Sequence, residues 1–345
     1  MIYIHFFEMT ELLKESLGAS EFDASVVVLG TWVTGGDGWG DCVRSDAIAA
    51  IHAAIDSGIN MIDTAPIYGF GLAEEIVGEA IADRRDSVIL ATKVGLRWNA
   101  DVGEFNFEDG SGNRIHKCLS AESIRYELEQ SLRRLGVDSI DLYQTHWPTS
   151  TSAIEDSMAE LIRQQELGKI RSIGVSNISA DDLEAYCNVG GVVSIQEMFS
   201  MVDRAKENNL FQKAIGKGMS VLAYSPLAMG LLSGKMGVNR EFLTSDNRSW
   251  SPRFTIENRR KISAMLEEFK PIANDLGLTL AQLVISWTIA RSTVTHVLCG
   301  ARNAQQAREN AISGRKILDD SSLSAIDSIL ERHALKLPHP FLPDE

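Results

Sequence analysis

Four cysteines in 345 residues, at positions 42, 118, 187 and 299, are too few and too scattered for a disulfide framework. They form no C-x-x-C pair and no histidines cluster beside them, so no metal site is indicated and free thiols are expected. Positive charge is also short. A net charge of −14 argues against nucleic acid or an anionic membrane as main partner. It leaves room for a small anionic cofactor, because local cations and helix N-termini hold phosphates inside acidic proteins. No apolar run is long enough to span a bilayer. The opening MIYIHFFEMTELLKE has neither a basic n-region nor a small-residue cleavage site, so a cytoplasmic protein is expected, with Met1 and Met9 both candidate starts. Also missing is a G-x-G-x-x-G after the first strand-like run, which a doubly wound dinucleotide fold would carry. GLLSGKM misses the phosphate-loop spacing and has no Ser or Thr after Lys235.

What is present is a repeating alternation. Eight short runs, apolar on both faces, read as strands of a buried parallel sheet: SVVVLGT, NMIDT, SVILATK, SIDLYQTH, KIRSIGVS, VVSIQ, MSVLAYS and VTHVLCG. Amphipathic segments separate them. Ser120 opens one helix, with Ile124, Leu128, Leu132 and Leu135 as its apolar stripe and Gly136 at its end; Ser45 opens another, striped by Ile48, Ile51 and Ile55 and closed by Gly58. The length alone allows two domains, but eight strand–helix units fit a single α/β domain, a (β/α)8 TIM barrel over 1–345, with an N-terminal segment at 1–24 and a C-terminal tail at 336–345. Two connections are long, about Leu96 to Cys118 after strand three and about Pro226 to Thr255 after strand seven. In a barrel both lie on the face where active sites are built.

That face collects polar residues. Strand two ends at Asp63, strand three at Lys93 and strand four at His146, and Tyr68 follows strand two on a Pro/Gly-rich loop. Each alone has an ordinary reading: a loop cap, a solvated strand end, a satisfied core histidine. Together on neighbouring strands they suit proton transfer to a carbonyl oxygen. A free phenol, with a pKa of about 10, is too weak an acid for rapid exchange at neutral pH. A cation about 4 Å away contributes roughly 4 kcal/mol at an effective dielectric of about 20, or about three pKa units. Asp63 supplies the counter-charge that keeps a buried Lys93 protonated, and His146 can orient and polarise the substrate oxygen. None of the four can deliver an electron pair, so reduction needs a hydride donor.

The motifs GTW, NMIDTAPIYG, ATK, LYQTHWP, GVSN, YSPLAMGLLSGK and GARNAQQAREN occur in one order along almost the whole chain, and in this the sequence resembles the aldo-keto reductases. The resemblance implies that Asp63, Tyr68, Lys93 and His146 are the catalytic residues, with Tyr68 as general acid. It implies a nicotinamide dinucleotide bound without a Rossmann fold, with Gly30, Thr31 and Trp32 bordering the ribose beside Asp63. Ser176, Asn177 and Gln196 would hold the carboxamide and Tyr224 would stack on the nicotinamide. Ser225, Pro226, Leu227, Gly230, Leu231 and Lys235 would wrap the pyrophosphate. Gly300, Arg302, Gln306, Glu309 and Asn310 would hold the adenosine end. Gly300 and Gln306 stand where many relatives carry cations for a 2′-phosphate; Arg302 is read as their replacement, making NADP(H) the expected cofactor and NAD(H) the alternative. Trp32, Tyr68, Trp98, His146 and Trp147, with Trp250 of the second long loop, would wall a pocket for an aldehyde, ketone or sugar. The proline-rich tail either closes over the mouth or hangs free. Two other readings compete: a barrel hydrolase or metal enzyme using Asp63 and His146, and a dinucleotide-sensing regulatory subunit of the potassium-channel β type with slow turnover.

Overall fold

Val27–Gly30 (β1), Met61–Asp63 (β2), Ile89–Val94 (β3), Ile140–Thr145 (β4), Ile170–Ser176 (β5), Val192–Met198 (β6), Ser220–Tyr224 (β7) and His296–Gly300 (β8) form a closed parallel barrel. Neighbours in sequence are neighbours in space, and β8 returns to pair with β1 through Gly300 and Gly30. This computed structural model describes residues 11–36, 38–40, 42–109 and 111–341. Met1, Met9 and the rest of the opening stretch, and the last four residues of the tail, lie outside them.

Side chains alternate along a strand, so residues two apart share a face. On the inner face this produces two layers of different chemistry. Val28, Met61, Ala91, Leu142, Leu222 and Leu298 make an apolar plug with Leu17. One step further up each strand stand Gly30, Asp63, Lys93, Gln144, Tyr224 and Gly300. The lower end is closed by a hairpin of Lys14–Ser16 and Asp23–Ser25. Its turn donates from Gly18 N to Ser220 Oγ at 2.8 Å, and His296 reaches the Glu15 carbonyl at 3.3 Å. Burial holds that imidazole neutral, with a pKa pushed down to about 4.

The outer layer follows the sequence periodicity where large residues carry it. In Ala121–Leu135 the side chains of Ile124, Leu128, Leu132 and Leu135 are buried, Ser120 accepts from Ser123 N, and Gly136 ends the helix at φ +65°. The first helix departs from expectation. It begins at Arg44, with Val43 as an uncapped start and Ser45 inside the first turn; residues 43–46 are exposed, so water can serve the first N–H groups in place of a side-chain cap. Its buried face is made by Ala47, Ala50, Ala53 and Ala54 with Ile51, while Ile48 and Ile55 are only partly covered, because small residues let it approach the Ala304–Ser313 helix closely.

The connection after β3 is a three-stranded antiparallel sheet (Leu96–Arg97, Glu104–Glu108, Arg114–Lys117). The alternation in EFNFE and an Asx turn, Asp109 Oδ1 accepting from Ser111 N and Asn113 N, account for it. The connection after β7 is coil and short 3₁₀ turns, followed by the Ile256–Asp275 helix, which packs on the C-terminal Asp320–His333 helix. Among the described residues no single helix is long and apolar enough to cross a membrane, and no group of three or more His, Cys, Asp or Glu is placed to hold a metal.

Candidate active site

The upper layer of the barrel converges on Asp63 and Lys93, each 1% exposed. The Lys93 ammonium has three protons and three acceptors: Asp63 Oδ1 at 2.5 Å, the Thr64 carbonyl at 3.0 Å and the Tyr68 hydroxyl at 3.3 Å. Asp63 Oδ2 accepts from Gln144 Nε2 at 3.0 Å and Gln196 Nε2 at 2.8 Å. His146, at the end of β4, packs its ring edge-to-face with Tyr68 at 5.9 Å. The four residues read from the sequence as acid, lysine, tyrosine and histidine are thus brought together in one mouth.

Their electrostatics can be ordered by cause. Burial alone would discharge Lys93, but the facing Asp63 and Tyr68 outweigh it and raise its pKa. Burial dominates at Tyr68 and raises the phenol above its ordinary value, against the pull of Lys93. From the sequence, Lys93 is expected to lower that value; without water around the hydroxyl, desolvation wins. Burial and the Lys93 charge hold His146 neutral, well below its usual range. The arrangement is therefore a protonated phenol hydrogen-bonded to an ammonium, beside a neutral imidazole. It can donate a proton to an oxygen that gains negative charge.

Backbone geometry fixes the neighbours. Asn177 sits at φ +59°, where its Nδ2 reaches the His146 carbonyl at 3.0 Å and its Oδ1 accepts from Tyr224 OH at 2.7 Å. Ser176 Oγ donates to the Gln196 carbonyl at 2.7 Å. Trp32 stacks on Tyr68 with centroids 6.1 Å apart and planes at 26°.

The sequence profile of the Aldo/keto reductase family matches residues 26–331, nearly the whole barrel. The chain belongs to the aldo/keto reductase family. It is 37% identical over 324 residues to the NADH-specific methylglyoxal reductase of Escherichia coli (strain K12), covering 92% of this chain and 98% of that one. The glycerol dehydrogenase AKR11B4 from Gluconobacter oxydans superposes with a TM-score of 0.83 at 35% identity, over 96% of this chain and 99% of the other. An aldo/keto reductase from Klebsiella pneumoniae, solved in complex with NADP and acetate, gives a TM-score of 0.68 at 26% identity, over 89% and 91% of the two chains.

The remaining residues expected at an aldo/keto reductase's dinucleotide site fall into three groups. Around the nicotinamide end, Gln196 spends its amide N–H groups on Asp63 and Gln144, and Thr31 spends both its N–H and its hydroxyl on the Asp63 carbonyl. Gly30 borders them on β1. After β7, Ser225, Ala228, Met229 and Gly230 all have left-handed φ, a coil that turns backbone rather than side chains outward. Leu231 and Pro226 are buried and Leu227 is half-buried, so this stretch offers a phosphate its backbone and the half-buried Ser225 hydroxyl. Lys235 is exposed and paired with Glu309 at 2.9 Å. At the far end, Arg302 donates to the Trp39 carbonyl, its N–H bonds to Gln306 Oε1 at 2.9 Å, and Asn310 Nδ2 ties to the Gly300 carbonyl at 3.1 Å. Burial depresses the Arg302 pKa most; Arg248 and Arg240 add to this, and Asp246, paired with Arg248, opposes it. The Gln196 and Asn177 amides at one end already donate within the protein; the backbone-presenting coil with Gly230, and Arg302 beside an Arg248 held by Asp246, fit the phosphate and adenosine ends of a dinucleotide.

The tryptophans divide. Phe341 of the tail packs against Trp32 at 5.7 Å and Trp250 at 6.1 Å, so the tail lies across the mouth. Arg253 holds it there through the Pro338 carbonyl at 2.9 Å. Trp98 packs on Phe70 and faces Arg134; Trp147 is half-buried after His146. Sequence reasoning missed Gln144, Arg248 and Phe341. Gln144 was findable, a polar residue on the inner face of an apolar strand, two before His146.

Proposed function

We propose that this aldo/keto reductase transfers hydride between a bound nicotinamide dinucleotide, which supplies it, and a small aldehyde, ketone or sugar carbonyl, with Tyr68 as the proton donor. The observation that carries the reading is the Lys93 ammonium held between Asp63 and the Tyr68 hydroxyl. Neutral His146 polarises the carbonyl oxygen without competing for the Tyr68 proton. Ser176, Asn177 and Gln196 orient the carboxamide end, Tyr224 backs the nicotinamide, and Trp32, Trp98, Trp147 and Trp250 with Phe341 exclude water from the carbonyl. The names of two relatives, a methylglyoxal reductase and a glycerol dehydrogenase, support a small oxygen-rich substrate and leave both reaction directions open to one set of residues.

We read the cofactor as NADP(H). Arg302 lies near Arg240 and near Arg248, which is paired with Asp246 at 2.6 Å, and a relative is complexed with NADP. The relative named NADH-specific makes the opposite preference the outcome to test against.

The test follows nicotinamide absorbance with NADPH and with NADH against a panel of aldehydes and aldoses, for the protein and its Tyr68→Phe variant. Turnover lost in the variant with dinucleotide binding retained is the expected result. Tight binding without turnover in the unaltered protein would replace this reading with that of a dinucleotide sensor.

A further inference from the structure

Gln144 is a residue that the chemistry above does not use. Its side chain is fully buried on the inner face of β4, one inward step above Leu142 and beside the two most deeply buried charges of the site. Nε2 donates to Asp63 Oδ2 at 3.0 Å, and Oε1 accepts from Gln196 Nε2 at 3.2 Å. Gln196 Nε2 also reaches Asp63 Oδ2, at 2.8 Å. Two amides therefore converge on one carboxylate oxygen, and Lys93 takes the other.

We propose that Gln144 is a positioning residue for the reaction: with Gln196 it occupies Asp63 Oδ2, confining Lys93 to Oδ1 and so to the Tyr68 hydroxyl. An ionised carboxylate offers about four lone-pair sites and is costly to bury unless they are used. Remove the Gln144 amide, and Oδ2 keeps only Gln196 Nε2, leaving a lone pair open to the Lys93 ammonium as the nearest strong donor. The ammonium would then chelate both oxygens, and the proton it gives up is the one on its longest bond, the 3.3 Å contact to Tyr68. The loss also removes a positive dipole end from beside the pair, making the potential at Tyr68 more negative. Both effects move the phenol the same way, toward weaker acidity. A glutamine that merely satisfied its own amide would need no such partner; here both ends of the amide lie within one network with Asp63.

The proposal rests on Tyr68 as proton donor for its kinetic arm only, and its decisive arm does not need turnover. A fluorinated tyrosine is placed at position 68, where ring fluorines acidify the phenol and report its ionisation by NMR. Gln144→Met, of similar length but without donors, should raise the midpoint of that ionisation by about one pH unit, the equivalent of roughly a tenfold equilibrium change. In turnover it should lower kcat for carbonyl reduction about tenfold. In an Asp63→Asn background the same substitution should shift nothing further, since the carboxylate it serves is gone. An unchanged midpoint, or a shift that persists in full with Asp63→Asn, overturns the proposal. If Gln144→Met does not accumulate folded, Gln144→Leu, likewise without donors, serves: the same upward shift is expected, and an unmoved midpoint there also overturns the proposal. A protein without turnover that still shows the shift loses the proposed activity but keeps this role for Gln144.

Discussion

Asp63 Oδ1 lies 2.5 Å from the Lys93 ammonium, and neither side chain reaches solvent. Such a pair is held by mutual need more than by net gain. Removing one partner leaves the other charge buried and uncompensated, which costs roughly 3–5 kcal/mol, while removing both is often nearly neutral. Lys93→Met should therefore lose that order of stability in urea unfolding, and Asp63→Asn with Lys93→Met should recover most of it. A double variant as unstable as the sum of the single changes would show that the pair does not act as a unit.

The same two residues show what the sequence could and could not reveal. Strand-final polar residues are legible because a buried strand has few reasons to end in a charge, and Asp63, Lys93 and His146 were visible on that ground. The barrel was legible from eight apolar runs at regular spacing. Contacts across the barrel were not. Gln144 and Gln196 are 52 residues apart and meet only when β4, β5 and β6 close. The acidity of Tyr68 was misjudged because charge separation can be guessed from spacing, whereas the loss of water around a hydroxyl depends on every wall of the pocket. The sheet after β3 was readable in its alternation, but its length had suggested a plain loop.

Glu127 predicts a pH-dependent stability. Its carboxylate, 4% exposed on the Ala121–Leu135 helix, accepts from Gly95 N at 3.1 Å and Ser123 Oγ at 3.1 Å. Burial pushes its pKa from 4.5 up to about 7, with Gly95, Arg97 and Ser123 opposing and Glu74 adding to the rise. Between those values the folded protein keeps a proton that the unfolded chain has released. Stability from this group is thus complete below about pH 4.5 and is lost as pH rises through about 7, by on the order of 3 kcal/mol. Glu127→Gln should flatten that slope, read as urea midpoints compared at about pH 5 and about pH 8. A slope equal to that of the unaltered protein would assign the dependence elsewhere.

Arg302 separates the two dinucleotides. If its guanidinium meets a 2′-phosphate, Arg302→Ala should weaken NADPH binding by about tenfold to a hundredfold, as for a lost charge-assisted hydrogen bond. NADH binding should fall much less, since only the tie to the Trp39 carbonyl is lost. Dissociation constants from fluorescence titration decide it; equal losses for both would remove Arg302 from the 2′ site.

Gly35 sets the position of Tyr68 by contact. A Cβ built on Gly35 would lie 2.5 Å from the Tyr68 carbonyl carbon and 2.6 Å from Gly69 N, and one built on Gly69 would lie 2.3 Å from the Gly35 carbonyl oxygen. The two backbones touch with no side chain between them, and Trp32, on the same turn as Gly35, stacks on Tyr68. No flexible side chain can yield here, so Gly35→Ala should displace the two loops relative to one another and with them Tyr68. A displacement of about 1 Å at a reacting group costs on the order of a hundredfold in rate. Gly35→Ala should therefore lower kcat by about that factor while the barrel, whose strands it does not touch, keeps its unfolding midpoint within a few degrees, roughly the effect of about 1 kcal/mol. Full kcat in a folded Gly35→Ala protein would mean that the loop's placement of Tyr68 is set by Lys93 alone, and that the glycine pair serves only the approach of the two loops.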